Sequence, residues 1–136
     1  MNRVLIVDDD PASRRLLDVR LRPLECDVTT AANGEQALTA IRADQPDLVL
    51  LDLQMPRMGG MDVLRVLRQD GIEVPTIVIT AHNEIEMREL CTAAGAASYL
   101  LKPFQDNTLL AAINNVRAKT ARTNTARTDS AGPEPE

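Results

Sequence analysis

Five polar residues stand directly after apolar runs in this sequence. Asp8 and Asp9 follow residues 3–7, Asp52 follows residues 47–51, Thr80 closes residues 74–80, and Lys102 follows residues 97–101. Taken singly, an Asp after a strand is more often a turn former or a helix cap. Three carboxylates and an ammonium delivered to one edge make a different chemistry. Carboxylates a few ångströms apart disfavour joint ionisation unless a cation compensates. With oxygen ligands only and no neighbouring His or Cys, Mg2+ in an octahedral shell that keeps some waters is the ion such a set selects. Lys102 adds a mobile charge and Thr80 a hydroxyl donor. The set then matches the needs of a transferred phosphoryl group: an in-line nucleophilic oxygen, a metal and a cation on the equatorial oxygens, and a fixed donor.

The elements that would place these residues follow from the apolar pattern. Val49-Leu50-Leu51 and Val4-Leu5-Ile6-Val7 are unbroken rather than alternating, as strands covered on both faces must be. Pro11 opens a first helix with Asp10 as its N-cap, which removes Asp10 from the acidic set. That helix carries Leu16, Leu17, Val19 and Leu21 and stops before Pro23. A β-branched run over 26–30 is a second strand. Asn33 and Gln36 cap a second helix, and a third spans 61–69. Asn83 caps a fourth that ends at Gly95, and Asp106 caps a fifth holding Leu109, Leu110, Ile113 and Val116 inward. Strict strand-helix alternation predicts an α/β fold, a doubly wound (βα)5 five-stranded parallel sheet with helices on both faces and right-handed crossovers. In such sheets ligands bind at the carboxyl edge, which is where Asp52 is delivered. Residues 1–119 are read as one domain, and 120–136, which cannot build a core, as a disordered C-terminal tail.

Composition narrows the classes. One Phe, one Tyr and no Trp leave no aromatic platform for stacking bases, and a net charge of -5 argues against nucleic acid as a direct partner. Cys26 and Cys91 match no metal spacing and read as reduced, which suits a cytoplasmic protein. No export signal or membrane span is predicted.

Four stretches in register resemble the receiver domain of bacterial response regulators, the phosphoacceptors of two-component signalling. They are Val4-Leu5-Ile6-Val7-Asp8-Asp9-Asp10, Leu50-Leu51-Asp52-Leu53-Gln54-Met55-Pro56, Ile79-Thr80-Ala81 and Tyr99-Leu100-Leu101-Lys102-Pro103-Phe104. The resemblance implies a flavodoxin-like fold in which Asp52 accepts a phosphoryl group from a sensor histidine kinase or histidine phosphotransfer protein. Asp8, Asp9, Asp52 and the Gln54 backbone carbonyl would hold Mg2+. Lys102 would contact the phosphate, the Thr80 hydroxyl would move toward it, and Tyr99 would swing inward. That motion would remodel a protein-binding surface on helix 4, strand 5 and helix 5, in a monomer or a phosphorylation-dependent dimer. Gln54 and His82 would tune loss of the phosphoryl group, a self-catalysed step in a protein that is not otherwise an enzyme. Gly59 stands where the family commonly has an acid, a change expected to alter loop flexibility and not chemistry.

Other readings stand beside these. Tyr99 is equally explained by packing at a strand edge, the arginines at 14, 15, 20 and 22 by a solvated helix face, and Gly59-Gly60 by loop geometry. The runner-up function is a haloacid dehalogenase-like phosphatase using Asp8. Against it, Ala12 replaces the expected Thr or Val, Asp10 is spent as a cap, and no second acidic pair follows Lys102. A receiver-like module that binds a partner without phosphorylation is the third reading, and the intact acidic set speaks against it.

Overall fold

The computed structural model describes residues 3–55, 58–81 and 85–131, with side chains of the last helix described as far as 118. The chain falls into two compact units, one ending at Phe104 and one beginning at Gln105.

In the first unit, β1 (Arg3–Val7), β2 (Asp27–Ala31), β3 (Leu48–Leu51), β4 (Thr76–Thr80) and β5 (Ser98–Leu101) form one sheet in the order β2-β1-β3-β4-β5. All pairings are parallel. The apolar runs explain the order of burial. β3 and β4 are buried at every position, whereas β2 exposes Asp27, Thr29 and Thr30, as an edge strand does. Side chains alternate across the sheet. Leu5, Val7, Val49, Leu51 and Val78 face a cluster with Ala37, Leu38 and Ile41 of α2 (Gly34–Ala43), Val63, Leu64 and Leu67 of α3 (Gly60–Gln69), and Cys91 of α4 (Ile85–Ala93). Val4, Ile6, Leu50, Ile77 and Ile79 are buried on the opposite face, and α1 (Pro11–Leu21), which adjoins β1, contributes buried Leu17 and Leu21. Leu16 and Val19 are exposed, so the apolar stripe of α1 is narrower than its sequence suggests.

Local signals hold at most ends. Asp10 caps α1 by accepting from the Ala12 amide at 3.1 Å, with Pro11 at the first helical position. Asn33 accepts from Gln36 N–H, and Gln36 accepts in return from Ala32 N–H, both at 2.8 Å. Gly95 takes φ +108 just past α4, a conformation an L side chain rarely adopts. The expected cap at Asn83 lies outside the described residues.

The second unit is α5 (Asp106–Ala131), in which Leu109, Ile113 and Val116 are buried and Leu110 is half-buried. One expectation needs correction. Asp106 lies inside the first turn rather than ahead of it, where its charge still favours the positive helix end. The helix continues through 120–131. No Gly or Pro interrupts residues 106–131, so local stereochemistry lets it run on even though the residues cannot build a core.

Candidate functional site

β1 and β3 are neighbours, while β2 lies on the far side of β1, so the strand order reverses between them. Such a switch point opens a crevice at the carboxyl ends of the strands. Asp8 and Asp52 sit at its two lips. Asp52 N–H continues the ladder to Val7 O at 2.9 Å, and Asp8 N–H does the same to Ala31 O at 3.1 Å.

The two carboxylates are buried, Asp8 to 2% and Asp52 to 7% relative exposure, while Asp9 faces solvent. One carboxylate oxygen from each of Asp8, Asp9 and Asp52 can be chosen so that all lie within 4.8 Å of one another. Asp10 is absent from this group, its oxygens taken by Ala12 N–H and Ser13 Oγ. Lys102 enters from the end of β5, with Nζ 3.0 Å from Asp8 Oδ2 and 3.5 Å from Asp52 Oδ2. The Lys102 amide donates to Thr80 O at 2.8 Å, which ties the ends of β4 and β5 together. Thr80 is fully buried at the same edge.

Electrostatics at the site are a contest between burial and pairing. Burial pushes the Asp52 carboxyl above its ordinary range; the Gln54 amide, which donates to Oδ1 at 3.1 Å, and Lys102 pull against this, and Asp8 adds to the rise. Burial pulls the Lys102 ammonium down, but its hydrogen bond to Asp8 and the charges of Asp52 and Asp8 outweigh that and leave it raised. One ammonium therefore serves two buried carboxylates. The donor set, oxygen-only with one carboxylate open to water, fits a hard divalent cation such as Mg2+ that keeps part of its hydration shell.

Of the remaining expected residues, Gln54 has an exposed side chain and contributes its amide to Asp52. Tyr99 is buried in the α2–α4 side of the core with the Arg88 guanidinium 4.9 Å from its ring centroid. His82 lies outside the described residues.

Sequence reasoning passed over several supporting residues. Arg14, read as part of a solvated face, donates from Nη1 to Asp8 O at 2.6 Å. Arg20 donates to Phe104 O at 3.2 Å, 84 positions away, a partner no local pattern could reveal. Gly60 packs so tightly beneath the end of β3 that a Cβ there would stand 2.5 Å from Asp52 O. A Cβ on Gly34 would stand 2.7 Å from Met58 O, so α2 abuts the loop that follows Asp52. The Gly-Gly pair after Met58 was the available signal, and loop geometry is how it was read.

Comparison with known proteins agrees with this geometry. The response regulator receiver domain family matches residues 4–114. The DNA-binding response regulator MtrA of Mycolicibacterium smegmatis is 44% identical over 120 residues, covering 88% of this chain and 51% of that protein. Among solved structures, chemotaxis protein CheY4 of Vibrio cholerae superposes with a TM-score of 0.79 at 30% identity, covering 85% of this chain and 98% of that one. The receiver domain of the Francisella response regulator 1452 gives 0.83 at 28% identity, covering 88% and 99%. The chain spans about half the length of the DNA-binding relatives.

That last finding corrects one expectation. Direct nucleic-acid partners were excluded from the net charge of -5, yet these relatives are DNA-binding response regulators. The charge describes 136 residues, and a balance read on this stretch does not speak for proteins about twice as long. Among the described residues no helix is long and apolar enough to cross a membrane.

Proposed function

The chain belongs to the response regulator receiver domain family, and on that footing we propose that Asp52 accepts a phosphoryl group from the phosphohistidine of a sensor histidine kinase or a histidine phosphotransfer protein. The observation that carries this is the meeting of Asp8, Asp9, Asp52 and Lys102, drawn from three strand ends, at one crevice. In the transfer an Asp52 carboxylate oxygen forms the new P–O bond as the P–N bond to the donor imidazole breaks, giving an acyl phosphate. Gln54 N–H and Lys102 favour the anionic carboxylate that attacks, while burial strips it of water. Lys102 sits at the end of a flexible stem and is 28% exposed, so it can follow the charge from Asp52 to the phosphoryl oxygens. Mg2+, held by Asp8, Asp9, Asp52 and the Gln54 carbonyl, would supply charge neutralisation on those oxygens.

Asp52 is a better acceptor than Asp8. Both carboxylates are contacted at both oxygens, but Asp8 is held more closely, by Asp10 N–H at 2.9 Å and Lys102 at 3.0 Å, than Asp52, whose contacts to Gln54 N–H and Lys102 are 3.1 and 3.5 Å, so Asp52 is the carboxylate freer to attack. The Thr80 hydroxyl answers the new phosphate and Tyr99 transmits that change to the surface of α4 and β5, while Gln54 and His82 tune hydrolysis. Receiver function is assigned to residues 1–119. The DNA-binding relatives point the output toward control of DNA binding.

A small phosphodonor with Mg2+ tests the assignment by mass spectrometry. One phosphoryl group per chain, absent in Asp52→Asn, is expected. Normal labelling of Asp52→Asn would overturn it, and steady turnover of a nitrophenyl phosphate that Asp8→Asn abolishes would restore the phosphatase.

A further inference from the structure

Arg20, on α1, meets the segment that follows Lys102 at two points. Its guanidinium carbon stands 5.2 Å from the centroid of the Phe104 ring, and its Nη1 donates to the Phe104 carbonyl at 3.2 Å. Phe104 is two residues beyond Lys102. The strand ladder that fixes the chain on the near side ends just before it: β5 pairs with β4 through Leu101, and Lys102 N–H to Thr80 O, at 2.8 Å, is the next bond along. Pro103 has no N–H with which to extend that ladder. The peptide bearing Lys102 is thus held by β4 behind it and by Arg20 ahead of it. A planar guanidinium suits this task, because it stacks on a ring while its fork donates to an oxygen; an ammonium does not combine the two.

We propose that Arg20 is a positioning residue for phosphoryl transfer to Asp52: by clamping Phe104 it holds the Lys102 backbone where Nζ reaches both Asp8 and Asp52. The inference rests on the assignment of Lys102 as the phosphate-contacting group. Small displacements of a charged group at a reacting centre are costly to rate, so the effect appears in the saturating rate of labelling and not in cation affinity, whose ligands Arg20 does not supply.

The full chain is labelled with a small phosphodonor at saturating Mg2+, and Mg2+ affinity is measured separately by calorimetry. Arg20→Ala and Phe104→Leu are each expected to slow labelling about tenfold with Mg2+ affinity unchanged, and Arg20→Lys to fall between Arg20→Ala and wild type. In a Lys102→Ala background, Arg20→Ala should cost nothing further, because both substitutions remove the same contribution. A full additional loss in that background, an unchanged rate in Arg20→Ala, or a matching loss of Mg2+ affinity would overturn the inference. Failure of the wild-type chain to label at Asp52 would instead remove the proposed function, and this inference with it.

Discussion

Lys102 Nζ and Asp8 Oδ2, 94 positions apart in the chain, meet at 3.0 Å. The contact closes the acidic crevice from the β5 side, and with Asp52 at 3.5 Å it puts one ammonium between two buried carboxylates. Removing one member of such a group leaves charge buried without compensation, which costs far more than the net worth of the pair. Lys102 retains 28% exposure, so the penalty sits below that of a fully buried pair.

Lys102→Met is accordingly expected to lower unfolding free energy by about 2 kcal/mol in metal-free buffer. Millimolar Mg2+ should return part of the loss, because a cation that binds only the folded chain stabilises it. Urea midpoints with and without MgCl2 measure both. Equal midpoints for the variant and the wild type in metal-free buffer would show that Lys102 does not offset the buried acids.

The pH response of Asp52 should be opposite to that of most paired carboxylates. Its folded pKa is raised above 3.8, chiefly by burial, so the native state holds this proton more tightly than the unfolded chain does. The stability arising from that difference is full below pH 3.8 and is lost as pH rises through the folded value. Asp52→Asn, which keeps the shape without the charge, is expected to be more stable than wild type at neutral pH, with the gap closing in acid. Lys102 acts at the other end: raised above 10.5, its contribution is present below that pH and lost as pH rises through its folded value. Denaturant titrations from pH 3 to 11 would reveal both slopes, and an Asp52→Asn gap that widens in acid would contradict this account.

Gly60→Ala should displace the proposed acceptor Asp52 without touching a charged group. The added methyl would stand 2.5 Å from Asp52 O and 2.9 Å from Leu53 Cα, both backbone atoms that cannot swing aside. Overpacking of this kind costs about 1–3 kcal/mol, and the relief must come from moving the strand end that carries Asp52. A lowered melting temperature with slower phosphodonor labelling is expected. Wild-type values for both would mean that α3 can retreat freely from the strand.

The sequence announced these features unevenly, for physical reasons. β1, β3 and β4 were legible because strands covered on both faces run apolar without a break, and Asp10 and Asn33 because caps act over two or three residues. The adjacency of β1 and β3, which brings Asp8 beside Asp52, has no local signature; it came from the rule that parallel strands share a carboxyl edge. Arg14 and Arg20 were assigned to solvent because a helix face shows its own periodicity but not what lies against it. Asp106 misled because an acid in the first turn and an acid just before it carry the same sequence signal.

Tyr99 offers a probe of the proposed switch surface that needs no label. It is the one tyrosine of a chain with no tryptophan, so intrinsic fluorescence near the tyrosine maximum reports it alone. The ring is buried to 8% and covered by Arg88 of α4, whose guanidinium lies 4.9 Å from the centroid. An Arg-aromatic stack that is partly shielded contributes about 0.5–2 kcal/mol, enough to shift an equilibrium between inward and outward rotamers severalfold. Arg88→Ala is therefore expected to raise acrylamide quenching of Tyr99 in the unphosphorylated protein, with Arg88→Lys intermediate because an ammonium keeps the charge but not the planar stack. Far-UV circular dichroism should stay unchanged, which separates release of the ring from loosening of α4. If quenching is the same in all three proteins, the ring is held by its contacts in the core, and Arg88 is a surface charge that happens to lie over it.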